Sequence, residues 1–89
     1  MKVNYLPSFV KDLKTLRSTS SYSAIRKLTF ESIPNYANLG DIRNLKKLKV
    51  SDSAYRIRIG DYRIGFFFEN NVVIFARVLH RSKIYRVFP

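Results

Sequence analysis

Cysteine is absent from this 89-residue chain, histidine occurs once, and six acidic residues face 17 Lys and Arg. Without cysteine there is no disulfide, no thiolate chemistry and no Cys-based zinc site, and a lone His leaves no His-rich metal cluster. The sequence therefore calls for no metal and no small-molecule cofactor. No run approaches the roughly 18 uncharged apolar residues that span a bilayer. The opening MKVNYLPSFV has no apolar signal core followed by a cleavage site, so the expected location is the cytoplasm. The shortage of acid leaves a net charge of +11, which demands a polyanionic partner: a nucleic acid or an acidic protein. A membrane surface fits less well, because the basic residues are spread over several segments and not gathered on one face of an amphipathic helix.

What the chain does have is apolar and aromatic side chains. They make up 46% and 15% of it, with seven Phe and six Tyr, enough for one core without a covalent staple. At this length the chain cannot divide into two cores, so residues 1–89 are read as a single domain.

KVNYL, residues 2–6, alternates as a short strand that Pro7 ends. PSFVKDLKTLRS then places Phe9, Val10, Leu13 and Leu16 on one helical face, with proline in the permitted first turn. The hydroxyl cluster STSS precedes a second periodic run, Tyr22, Ile25, Leu28, Ile33 and Tyr36, in which Pro34 is expected to end the helix near residue 33. From Leu45 the period becomes two. LKKLKV, YRIRI, YRIGFFFE and NVVIFARVL read as strands, the last three joined by the turn dipeptides Gly60-Asp61 and Asn70-Asn71. The expected fold is α+β: an N-terminal strand and an antiparallel two-helix hairpin packed on one face of a small, mainly antiparallel β-sheet.

A two-residue turn at Gly60-Asp61 pairs Ile57 with Ile64, Arg56 with Gly65, and Arg58 with Arg63. Like charges directly opposite each other destabilise a sheet, a cost that an anionic ligand would remove. A two-residue turn at Asn70-Asn71 sets Phe67 opposite Ile74, Gly65 opposite Ala76 and Arg63 opposite Val78. Alternation then sends Tyr62, Ile64, Phe66, Phe68, Val73, Phe75 and Leu79 to the helix-covered side. Arg56, Arg58, Arg63, Gly65, Ala76 and His80 go to the other. Arg77 falls on the helix side and requires an edge or a carboxylate such as Glu31.

The plain alternative for such a strand is a solvated outer face. Against it stand the absence of acidic partners on that face and the placement of the sole His there, which together read as a phosphate site. His80 is the side chain suited to proton transfer near neutrality. Tyr85 is suited to stacking on a base or donating a proton, or else to packing a C-terminal strand. Lys46, Lys47 and Lys49 are placed to contact phosphates or to form a solvated edge.

The order strand, two helices, then LKKLKV…YRIRIGDYRIGFFFENNVVIFARVLHRSKIYRVF resembles the RelE/ParE superfamily of toxins from bacterial and archaeal type II toxin–antitoxin systems. The likeness runs over essentially the whole chain and is specific over residues 45–88. It implies a RelE-like microbial-RNase-type fold. It also implies a toxin that enters the A site of the 70S ribosome and cleaves mRNA without metal, by attack of a ribose 2′-hydroxyl on the adjacent phosphate. An acidic antitoxin would hold it inactive. Under this resemblance the catalytic candidates are His80, Arg63, Tyr85 and Arg81, and the phosphate-binding candidates are Arg56, Arg58, Lys49 and Lys47. Arg56 and Arg58 stand where family members often carry lysine, Arg63 matches the arginine after the turn, and Tyr85 matches the tyrosine that stacks on the substrate base. A guanidinium stays protonated, so proton transfer is expected of His80, with Tyr85 beside it. A ParE-like inhibitor of DNA gyrase and a non-catalytic nucleic-acid-binding module are the other readings.

Overall fold

The structure, a computed structural model, describes all of residues 1–89. Strand β1 (Lys2–Tyr5) leads into helix α1 (Pro7–Thr15), then α2 (Tyr22–Lys27), a π-helical turn (Leu28–Ser32) and α3 (Ile33–Asn35). Four strands and a last helix follow: β2 (Leu45–Lys47), β3 (Ala54–Ile59), β4 (Tyr62–Glu69), β5 (Val72–His80) and α4 (Arg81–Val87). All strands form one sheet of order β1-β5-β4-β3-β2, with β1 parallel to β5 and every other pair antiparallel. The α+β class and the helical hairpin on a mainly antiparallel sheet are as the sequence implied.

Pro7 opens α1, whose apolar face buries Phe9 and Leu13. The second helical run passes the expected stop at residue 33 and continues to Asn35. Its π turn supplies the reason: the turn breaks the regular ladder, and Pro34 falls in the first turn of α3, where no intrahelical N–H is needed. Thr29, fully buried in that turn, donates its hydroxyl to Ile25 O at 2.9 Å, while its own carbonyl accepts the Tyr5 hydroxyl at 2.8 Å.

Both hairpins turn where positive φ was required, at Gly60 (59°) and at Asn70 and Asn71 (52° and 63°). The β3–β4 pairs are those expected, including Arg58 opposite Arg63 and Arg56 opposite Gly65. Phe67 likewise faces Ile74. Beyond Phe66–Phe75 the β4–β5 register slips by one, so that Gly65 pairs with Arg77, Ile64 with Val78, Arg63 with Leu79 and Tyr62 with His80. The expected pairs Gly65–Ala76 and Arg63–Val78 are therefore corrected: Ala76 is the extra residue of a β-bulge. A one-residue slip exchanges faces. Val78 thus joins the core under α1 and α2, and Leu79 packs on the opposite side.

Helix α1 accounts for the bulge. Strand β1 ends at Tyr5, and from there side chains of α1 take over as partners for β5: Ser8 Oγ donates to Ala76 O at 2.6 Å, and Asp12 accepts the Val78 N–H at 3.1 Å. The same carboxylate takes Arg77 Nε at 2.7 Å and Nη2 at 3.2 Å. Asp12, and not Glu31, is the partner that Arg77 required. This hydrogen bond holds the Arg77 guanidinium above its already high ordinary pKa.

The main core fills the space between the sheet and α1, α2 and α3, around Phe9, Ile25, Ile33, Ile64, Phe66 and Phe75. A second, smaller cluster of Leu48, Ala54, Ala76, Ile84 and Phe88 lies on the other face. That cluster rules out the alternative of a C-terminal strand and adds a helix on the face opposite the two-helix hairpin. Ile84 and Phe88, four residues apart, anchor α4 across the second face of the sheet. Gly65 makes this possible: a Cβ there would come within 2.5 Å of the Phe88 ring.

Candidate functional site

Strands β2, β3 and β4 each present a cation to the second face. Lys46 is the cross-strand partner of Arg56, and Arg58 that of Arg63. Together with Asn44, Leu45 and Tyr85 they line an open cleft of about 350 Å³. Helix α4 forms its wall, because Ile84 and Phe88 point into the sheet and leave Tyr85 at the rim, 65% exposed. The Arg56 guanidinium lies over the Tyr85 ring, 4.4 Å from its centre, a cation–π contact of about 0.5–2 kcal/mol.

The cations of this cleft are poorly satisfied. Arg56 Nε is buried and has no acceptor. Arg58 Nη2 reaches Asn44 Oδ1 at 3.3 Å. Arg63 Nη1 donates to Gly60 O and Tyr62 O, both at 3.0 Å. Each guanidinium offers five N–H donors, so most remain open. No carboxylate lines the cleft. Three of the six acids are engaged elsewhere: Asp12 with Arg77, Asp41 in the cap of the 3₁₀ turn Leu39–Asp41, and Glu69 with the Ser53 hydroxyl. Three guanidiniums and a lysine around a carboxylate-free cleft are a lining whose chemistry matches that of phosphate groups.

The remaining candidates from the sequence are distributed differently. Lys49 lines an adjoining groove of about 570 Å³, floored by Leu48, Val50, Phe88 and Pro89, which shares Lys46, Arg56 and Tyr85 with the cleft. Lys47 pairs with Tyr55, whose ring packs on the main core, and lies outside the cleft. Arg81, the first residue of α4, is held at the β3–β4 turn: its N–H bonds Asp61 O at 2.8 Å and its Nε lies 3.8 Å from Asp61 Oδ1.

His80 is not on the arginine face, which corrects the expected placement. The bulge at Ala76 turns it to the α1 side, where it packs edge-on against Tyr62, with ring centres 5.6 Å apart, in a separate groove with Asp12 and Thr15. Its Nδ1 accepts the Ser82 N–H at 3.1 Å and lies 2.9 Å from Ser82 Oγ, making it the N-cap of α4. Asn44 was not singled out by sequence; its positive φ of 59°, just ahead of β2, is a feature that asparagine tolerates.

A family model describing the ParE toxin of type II toxin–antitoxin systems, parDE, matches residues 3–85, nearly the whole chain and all of the cleft. The chain belongs to this toxin family. Within the RelE/ParE toxins its similarity leans to RelE. It is 42% identical to toxin RelE3 of Methanocaldococcus jannaschii, with 100% of both chains covered. It also matches the crystal structure of the RelB-RelE antitoxin–toxin complex from Methanococcus jannaschii, with a TM-score of 0.78 at 38% identity over 97% of this chain and 99% of that one. The RelBE2 complex from Mycobacterium tuberculosis, at 21% identity with 90% and 96% covered and a TM-score of 0.67, shares the fold. This RelE-like toxin has no helix long and apolar enough to cross a membrane.

Proposed function

We propose that this RelE-like toxin is a ribosome-dependent endoribonuclease that cuts mRNA in the A site and thereby arrests translation and growth. The observation that carries this reading is the cleft itself: Arg56, Arg58 and Arg63 with open donors, Lys46 beside them, Tyr85 at the rim and no carboxylate in the lining. In the reaction a ribose 2′-oxygen attacks the neighbouring phosphorus and the 5′-oxygen departs. Guanidiniums aimed at the phosphate stabilise the negative charge that builds on its oxygens. The exposed Tyr85 ring, stiffened by Arg56 against it, offers a surface on which a base stacks, worth about 1–3 kcal/mol per base. Arg81, at the turn beside the cleft, supplies further positive charge to the approaching strand, and Lys49 does so along the adjoining groove.

An acidic antitoxin is the second partner. The net charge of +11 supports it, as does the likeness to a toxin solved with its antitoxin. Primer extension on transcripts after induced expression tests the activity. New 5′ ends should appear within codons of translated messages, and Arg63→Ala should abolish them while the protein remains folded. Intact transcripts with accumulating DNA damage would instead assign the toxin to DNA gyrase, the target of the ParE-like branch.

A further inference from the structure

Cleavage by the 2′-hydroxyl requires a group that removes its proton, and three of the cations in the cleft cannot. Arg56, Arg58 and Arg63 are guanidiniums, protonated at every relevant pH. His80, the one imidazole, is turned to the α1 side by the bulge at Ala76, and its Nδ1 is engaged at the start of α4. No Asp or Glu lines the cleft. By elimination, the side chains there able to release and retake a proton are Lys46 and Tyr85.

We infer that Lys46 is the general base of this toxin, a role that rests on the proposed RNA cleavage. Lys46 projects from β2 directly opposite Arg56, and it lines both the cleft and the adjoining groove at their common boundary. Its surroundings are cationic or neutral: Arg56 and Arg58 on β3, Arg63 on β4, Tyr85 on α4 and Lys49 beyond β2. No carboxylate lies in either lining to hold it in an ion pair. Tyr85 is engaged through its ring, which packs against the Arg56 guanidinium. In the step, the neutral Lys46 amine takes the 2′-hydroxyl proton as the 2′-oxygen bonds to phosphorus. The bond from phosphorus to the 5′-oxygen breaks, and that oxygen leaves with a proton from water. The products are a 2′,3′-cyclic phosphate and a 5′-hydroxyl, and the Lys46 ammonium returns its proton to solvent.

Lys46→Arg separates the two things a lysine can do here, because it keeps the charge and removes the base. The assay is single-turnover cleavage of mRNA on programmed ribosomes by the full-length toxin across a range of pH. It is paired with binding to the same complexes carrying a 2′-deoxy substitution at the cut site. The expected result is wild-type binding with cleavage slower by about 10²–10⁴-fold. The wild-type rate should climb with pH, a slope that the variant lacks. Lys14→Arg, on α1 and in neither lining, serves as the control and should cleave like wild type. Lys46→Arg cleaving at the wild-type rate, or losing its binding, would overturn the assignment while leaving the endoribonuclease reading intact. Failure of the wild-type toxin to cleave would overturn both.

Discussion

The two faces of the sheet were built under different rules. Under α1, α2 and α3 the strands contribute Ile57, Ile64, Phe66, Val73, Phe75 and Val78, all at 1% exposure or less, and the one buried polar side chain there, Thr29, has its hydrogen bonds. On the other face only five residues are buried, around α4, and beside them sit like charges opposite each other and a buried Arg56 Nε with no acceptor. The first arrangement is what stability favours. The second costs stability through repulsion and unmet donors, which is how a site kept ready for a charged ligand differs from a core. A fold can thus assign one side of a sheet to holding itself together and the other to its ligand.

Removing a ring from each face sharpens the contrast most. Phe75→Ala, in the main core, should cost about 3–5 kcal/mol, close to the whole stability of a domain this size, and urea denaturation would register it as a collapse of the midpoint. Phe88→Ala should leave the sheet protected in hydrogen exchange and expose only the amides of α4, since the small cluster holds little else. Equal loss of protection in both variants would break the distinction between the faces.

Asp12→Ala should follow, at about 1–3 kcal/mol, because it strips Arg77 and the Val78 N–H of their shared acceptor at once. Chemical shifts along β5 should report whether the bulge survives. Arg58→Thr should act in the opposite direction, raising stability by about 0.2–1 kcal/mol, seen as a higher urea midpoint, as the repulsion with Arg63 disappears, while RNA binding weakens. A destabilised Arg58→Thr protein would mean that the cleft contributes to the fold after all.

The smallest effect is a titration. Burial raises the Tyr5 pKa above its ordinary 10.0, so the unfolded chain loses that proton first. Stability is then full below about pH 10 and declines as pH rises through the folded value. Tyr5→Phe should lessen that alkaline decline, seen as urea midpoints that fall less above pH 10.0 than those of the wild type, while giving up the bond to Thr29 O.

The β3–β4 hairpin was legible because its determinants are local. Gly60 sets the turn and the period of two does the rest, so Arg58 against Arg63 follows from the hairpin's own residues. The bulge was not legible. Its partners, Ser8 and Asp12, lie 68 and 66 residues away in sequence, and alternation carries no information about a helix that replaces a strand halfway along β5. That one residue moved His80 out of the arginine face, which is what turned the inferred base to Lys46. The last helix was open to recognition, since Ile84 and Phe88 stand four apart, but after a run of strands the only packing considered for Tyr85 was a C-terminal strand. The family signature over residues 45–88 identified the toxin, yet it did not reveal which basic residues share the cleft.

The short outer strands have a consequence for solubility. Both rims of the sheet are brief, four residues in β1 and three in β2, and they carry Lys2, Lys46 and Lys47. Two copies approaching rim to rim would bring lysine against lysine over too few backbone groups to offset the repulsion. Edge-to-edge pairing of a protein rich in Phe, Val and Ile strands is thereby disfavoured, and the same positive rims suit an acidic chain.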